Sequence, residues 1–135
     1  VITEIADYFR NEIGYNIPEM TPFVGRNFNT TRAGIHADGL LKDEEIYNIF
    51  NTKKLLNRPA GVAVSKTSGL AGIAYWINEN YGLEGVDALD KRDPLVAELK
   101  EWVDGEYAGG RVSALSNHEL EAKLAELSCG RFVRK

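Results

Sequence analysis

Three apolar stripes at helical spacing, each with its own start and stop signals, fill the second half of the chain and constrain its fold most. Leu70, Ile73, Ala74, Ile77 and Tyr81 recur every three or four residues, between Ser68 as a candidate N-cap and Gly82 as a stop. Asp93-Pro94 opens a second stripe with proline at the first helical position, followed by Leu95, Leu99, Trp102 and Val103, and Gly109-Gly110 breaks it. Ser116-Asn117-His118-Glu119 is a capping box ahead of Leu120, Leu124 and Leu127. A helix with one apolar stripe is stable only when that stripe is covered, so three in succession predict helices packed on one another.

The first half is less regular. Ile2, Ile5, Ala6, Phe9 and Ile13 have helical spacing, with Thr3 as a candidate N-cap and Gly14 as a candidate stop. Residues 15–31 hold Pro18, Pro22 and Gly25 among several Asn and Thr, and read as an extended, irregular connector. A connector of this length without an element of its own usually lies against another body of protein. Its apolar residues, among them Met20, Phe23 and Phe28, lack any periodicity, so residues 16–38 are expected to act as a docking lid with no settled conformation alone. Residues 32–39 read as a polar, glycine-bounded turn, and 43–50 as a short helix with acids in its first turn. Asn51-Thr52 restarts a helical turn through Leu56, stopped before Pro59. Alternation of Val62 and Val64 with Ala63 and Ser65 predicts the one convincing strand, over 61–66. The expected fold is therefore mainly α: small helical subdomains with one short strand or hairpin, preceded by an irregular lid.

Composition narrows the function. The 135 residues suit one ordinary domain or two small subdomains, and 44% hydrophobic with 27% charged residues is globular usage. No apolar run approaches the roughly 20 residues that cross a bilayer. Val1–Ile5 lack a basic region and an apolar core, so no signal peptide is expected; with no initiating Met, the chain reads as a segment of something longer. A single cysteine, Cys129, leaves no internal disulfide and suits the reducing cytoplasm. The net charge of −4 argues against nucleic-acid binding.

Chemistry-bearing residues are few. Two distant histidines and one cysteine do not make a structural zinc site. Gly69-Leu70-Ala71-Gly72 lacks the glycine spacing of a nucleotide fingerprint, although the helix start at Ser68-Gly69 could receive an anion on its first N–H groups. His118 reads as a surface residue in a capped first turn. His36 lies in Ala33-Gly34-Ile35-His36-Ala37-Asp38-Gly39, where glycines allow close approach to a ligand and Asp38 could orient the imidazole. A histidine making one structural hydrogen bond in a turn is the plainer reading of the same residues.

The run Gly25-Arg26-Asn27-Phe28-Asn29-Thr30-Thr31-Arg32-Ala33-Gly34-Ile35-His36-Ala37-Asp38-Gly39-Leu40-Leu41-Lys42 resembles the post-barrel segment of the isopropylmalate, homocitrate and citramalate synthases, the acyl-CoA condensing enzymes of the DRE-TIM metallolyase type. Ile46-Tyr47-Asn48-Ile49-Phe50 resembles the family's next string, at its spacing of eleven residues from His36 to Tyr47. Ser65-Lys66-Thr67-Ser68-Gly69-Leu70-Ala71-Gly72 and Arg111-Val112-Ser113-Ala114-Leu115-Ser116-Asn117-His118-Glu119-Leu120 resemble two later family segments, so the likeness spans nearly the whole chain. There are departures. The family's upstream histidine is replaced within Phe28–Gly34, and the later segment has lost its histidine and arginine, a wording closest to homocitrate-synthase-like and Re-face citrate synthases.

The resemblance implies a Claisen-type condensation of acetyl-CoA with a 2-oxoacid. It assigns His36 to acid–base chemistry and Tyr47 to hydrogen bonding at the same site, with Asp38, Ser68 and Gly69 as candidate substrate contacts. It also implies a divalent metal (Zn, Mg or Mn) held by a TIM barrel that this chain does not contain, and a homodimer in which the partner completes the site. Residues 1–14 would be a terminal helix leading out of the barrel, 15–60 a lid with His36 and Tyr47, and 61–135 a helical C-terminal subdomain, inactive alone. The competing expectation is a stand-alone helical interaction module that binds a partner through the connector.

Overall fold

The computed structural model describes residues 1–31, 34–43, 48 and 50–132. Among these the chain runs through α1 (Ile2–Asn11), β1 (Thr30–Thr31), α2 (Gly34–Lys42), α3 (Thr52–Leu56), β2 (Gly61–Val62), α4 (Leu70–Tyr81), α5 (Pro94–Ala108) and α6 (Asn117–Leu127), with a 3-10 turn at Gly85–Asp87. The mainly helical class with one short strand pair is thus the observed fold.

The three striped segments become α4, α5 and α6, and they form the main core. Ile73, Ile77, Leu99, Val103, Leu120 and Leu124 are completely buried in it. The stripes shift slightly from expectation: Leu70 is exposed in the first turn of α4, and on α5 Val96 and Tyr107 are buried while Leu95 and Trp102 pack at the rim. Buried Asn78 gives its amide as a substitute peptide, donating to the Leu89 carbonyl at 3.0 Å and accepting from the Leu89 N–H at 2.8 Å. That pair fixes the charged loop after α4 without leaving a buried polar group unsatisfied.

The caps of α5 and α6 are those the sequence predicts. Asp93 accepts from Leu95 N with Pro94 at the first position, and Ser116 and Glu119 cap each other reciprocally. Arg111 adds a bidentate pair to Glu119 at 2.7 and 2.9 Å. Arg111 first, and the Ser116 bonds after it, lower the Glu119 carboxyl from the ordinary 4.5 to about 2. A carboxyl depressed by folding stabilises fully above its ordinary range and loses that contribution as pH falls through its folded value. Glu119→Gln should therefore flatten the acid limb of unfolding between pH 4.5 and about 2. Urea midpoints across that window test it; an unchanged acid limb in the variant refutes the assignment.

Two other capping expectations are corrected. Thr3 does not cap α1; its hydroxyl donates to the Leu56 carbonyl at 2.7 Å and ties α1 to α3. Helix α1 ends at Asn11, three residues before Gly14, whose φ of 70° serves the following turn. Ser68 does not cap α4 either: Gly69 is the N-cap, with no side-chain bond. The expected strand over 61–66 is only Gly61–Val62, paired in parallel with Thr30–Thr31 in the register Thr30↔Gly61. Past it the backbone changes partner, since Leu115 N donates to the Val64 carbonyl at 3.0 Å.

Apart from Thr30–Thr31 the connector has no element of its own, and side chains hold its path. Arg10 donates to the Val24 carbonyl, and Arg58 donates to the carbonyls of Phe23 and Arg26 at 3.2 and 2.9 Å. Asn29 reaches the Pro59 carbonyl at 2.9 Å. These side chains supply the donors that a segment without secondary structure cannot give itself. Gly25 is required there, because a Cβ would stand 2.2 Å from the Glu19 carbonyl oxygen. The short helix expected over 43–50 falls largely outside the described residues. Among the described residues no helix is long and apolar enough to cross a membrane.

Candidate active site

The segment read as a glycine-bounded turn is helical. Residues Gly34–Lys42 form α2, which lies across α4. The reason is packing of small residues. Ala37 is completely buried, and a Cβ added at Gly72 of α4 would stand 3.6 Å from the Ala37 Cβ and 3.6 Å from Val62. Ala37, Val62 and Tyr75 form a second apolar cluster with Leu40 against it, and Tyr75 donates its hydroxyl to the Ala60 carbonyl at 2.9 Å. Gly39 is buried as well. The small residues around His36 thus serve at least this helix contact, beside the ligand approach expected of them.

Helix α2 carries His36 on its exposed side. The imidazole Nδ1 stands 3.4 Å from the Thr31 hydroxyl, and the two residues share a cleft of about 300 Å³ with Phe28, Asn29, Thr30, Leu40, Asn48 and Ala60. A hydroxyl can donate to or accept from Nδ1, so Thr31 can bias the tautomer that His36 presents. Tyr47 lies outside the described residues; Asn48, its neighbour in sequence, lines the cleft.

The other candidate residues are placed elsewhere. Asp38 does not orient the imidazole as the turn reading expected, because residues two apart on a helix do not face each other. Its carboxylate accepts from Lys91 at 2.6 Å and pairs with Lys42 at 3.0 Å. Those bonds, Lys91 first, hold its pKa below the usual carboxylate value. The Ser68 hydroxyl is buried, accepts from Ser65 N at 2.9 Å and donates to the Ala63 carbonyl at 3.3 Å. It staples the loop before α4, and neither it nor Gly69 lines the His36 cleft. Among the described residues no three His, Cys, Asp or Glu side chains converge as a metal site.

Sequence reasoning missed Thr31 and Lys91. A β-branched pair at Thr30-Thr31 was the available signal for the strand that brings Thr31 to His36. Nothing local marks Lys91, which meets Asp38 from 53 residues away.

No family model matches the chain. Individual proteins do. A citrate (Re)-synthase of Syntrophus aciditrophicus is 57% identical over 124 residues, covering 92% of this chain and 20% of that protein. The citrate (Re)-synthase of Clostridium kluyveri is 56% identical over 127 residues, 94% of this chain and 28% of that protein. A 2-phosphinomethylmalate synthase of Streptomyces hygroscopicus is 45% identical over 109 residues, 81% and 24% of the two chains. The chain thus spans less than a third of the length of these relatives, and by sequence it belongs to the family of the Re-citrate, citramalate and 2-isopropylmalate synthases.

Proposed function

We propose that this chain is the post-barrel part of a citrate synthase of the Re type, which joins the acetyl group of acetyl-CoA to oxaloacetate. One observation carries the reading: identity of 57% and 56% to two citrate (Re)-synthases across more than nine-tenths of the chain. Taking a two-carbon acetyl unit from six-carbon citrate leaves oxaloacetate, which is the 2-oxoacid of this reading. A base removes a methyl proton from the thioester, the methyl carbon bonds to the keto carbon, and the keto oxygen is protonated. Water then cleaves the thioester and releases CoA.

His36 is the proton-transferring group in this reading, and Tyr47 hydrogen-bonds beside it. An exposed imidazole on a cleft, with a hydroxyl near Nδ1, suits a group that must exchange protons with a bound substrate. The divalent metal that the family resemblance implies does not fit the described residues, and the steps assigned to this chain move only protons. The barrel and a second subunit would cover Ile2, Ile5 and Phe9 of α1 and Met20 of the connector, all exposed here. The segment alone should therefore be inactive.

The test is an assay of the full-length protein with acetyl-CoA and, in turn, oxaloacetate, 2-oxoglutarate, 2-oxoisovalerate and pyruvate. CoA release is expected to be fastest with oxaloacetate, with citrate as the product. Preference for another 2-oxoacid would discard the citrate assignment and keep the family.

A further inference from the structure

Arg10, Arg26 and Arg58 line one cleft of about 290 Å³, together with Thr3, Asp7 and Asn11. Arg10 and Arg26 also line an adjoining cleft of about 230 Å³. Arg10 and Arg58 spend donors on the carbonyls of Phe23, Val24 and Arg26, and carbonyls do not neutralise a charge. Among the described residues Asp7 is the only carboxylate lining the first cleft, 2.9 Å from Arg10, so three positive groups face one negative group there, while Glu19 lines the second cleft beside Arg10 and Arg26. The Arg10 side chain is 13% exposed, and its Nε is buried with no partner among the described residues. Burial first, and the Arg10 charge second, lower the pKa of Arg58. These guanidiniums repel one another in a partly desolvated place, on a chain whose net charge is −4.

Arg26 differs from the other two. Its side chain is exposed and makes no hydrogen bond or ion pair among the described residues. A guanidinium fork matches the oxygens of a phosphoryl group, and an excess of two positive charges matches a dianion better than a single carboxylate. We propose that this cleft binds a dianionic phosphoryl group, with Arg26 making the direct contact and Arg10 and Arg58 supplying the positive field behind it. The group could come from free phosphate or from a phosphate ester of CoA; only the second source rests on the function proposed above.

Arg26→Gln tests this in the full-length protein, because Arg26 anchors nothing through its side chain, whereas changes at Arg10 or Arg58 would release the connector. Inorganic phosphate is titrated at constant ionic strength against chloride and followed by calorimetry. Saturable binding is expected in the wild type, weakened about tenfold or more in Arg26→Gln, the size of a lost hydrogen bond to a charged group. Phosphate behaving like chloride, or the variant binding phosphate as the wild type does, overturns the proposal. The KM for acetyl-CoA then identifies the source. A similar rise in the variant points to CoA, and weakened phosphate binding with an unmoved KM points to the free anion. A full-length protein without condensing activity would defeat the proposed function and leave the phosphate titration fully readable.

Discussion

His36→Ala in the full-length protein is expected to lower kcat by about 100-fold or more, the usual size of a general acid–base contribution. The expectation follows from where the ring sits. His36 is exposed on α2, outside both apolar clusters, so alanine removes no buried packing and the fold should persist. Loss of a proton-transferring group acts in the transition state, so the KM for the 2-oxoacid should move little. Tyr47→Phe keeps the ring and deletes one donor, and it should lower turnover as well. If the two residues act as a unit, the double variant will lose less than the product of the single losses. A His36→Ala enzyme with near wild-type kcat would take His36 out of the chemistry, and full additivity with Tyr47→Phe would separate the two residues.

The helical half of the fold was legible because its signals are local. Asp93-Pro94 and Ser116 to Glu119 are caps whose donors and acceptors lie within three residues, and Gly82 and Gly109-Gly110 end helices by backbone conformation alone. Thr3 and Ser68 look the same in sequence, yet each spends its hydroxyl elsewhere, on Leu56 and on the loop before α4. Tertiary partners decided those positions. The connector was legible only as irregular, because its order comes from Arg10 and Arg58, which carry no local sign that they will hold carbonyls 14 to 35 residues away.

The candidate site was legible as a single residue and not as a geometry. The sequence marks His36, which stands on a cleft, but its surroundings read as a turn because glycines at 34 and 39 are poor helix formers. The contact with α4 overrides that propensity: small residues at 37 and 72 let two helices approach closely, and the gain in packing outweighs the backbone entropy. The same override separates Asp38 from His36, since helical geometry turns residues two apart to different sides. Thr31 enters the site only once strand pairing with Val62 fixes its path.

That dependence of the site on one helix contact gives the second large expectation. Ala37→Leu adds three carbons to a residue that is completely buried, at a place where Gly72 leaves room for about one. Overpacking of this kind costs roughly 1–3 kcal/mol, and the strain can be relieved by moving α2 off α4. Among the described residues little beyond the packing of Leu40 resists that movement. The tether from Lys91 to Asp38 is a solvent-screened ion pair, and among the described residues the main core of α4, α5 and α6 contains none from α2. His36 would move with its helix, and a displacement of about 1 Å can cost about 100-fold in rate. Ala37→Leu should therefore approach the kcat loss of His36→Ala while the main core stays folded. Gly72→Ala is the matched control. Its Cβ meets its neighbours at 3.6 Å or more, ordinary contact distances, and alanine favours a helix interior by about 1 kcal/mol over glycine. That variant should keep turnover and match or exceed wild-type stability. Turnover and urea unfolding of both variants in the full-length protein decide the matter. Wild-type kcat in Ala37→Leu would show that α2 is not what positions His36, and an equal loss in Gly72→Ala would show a tighter contact than described.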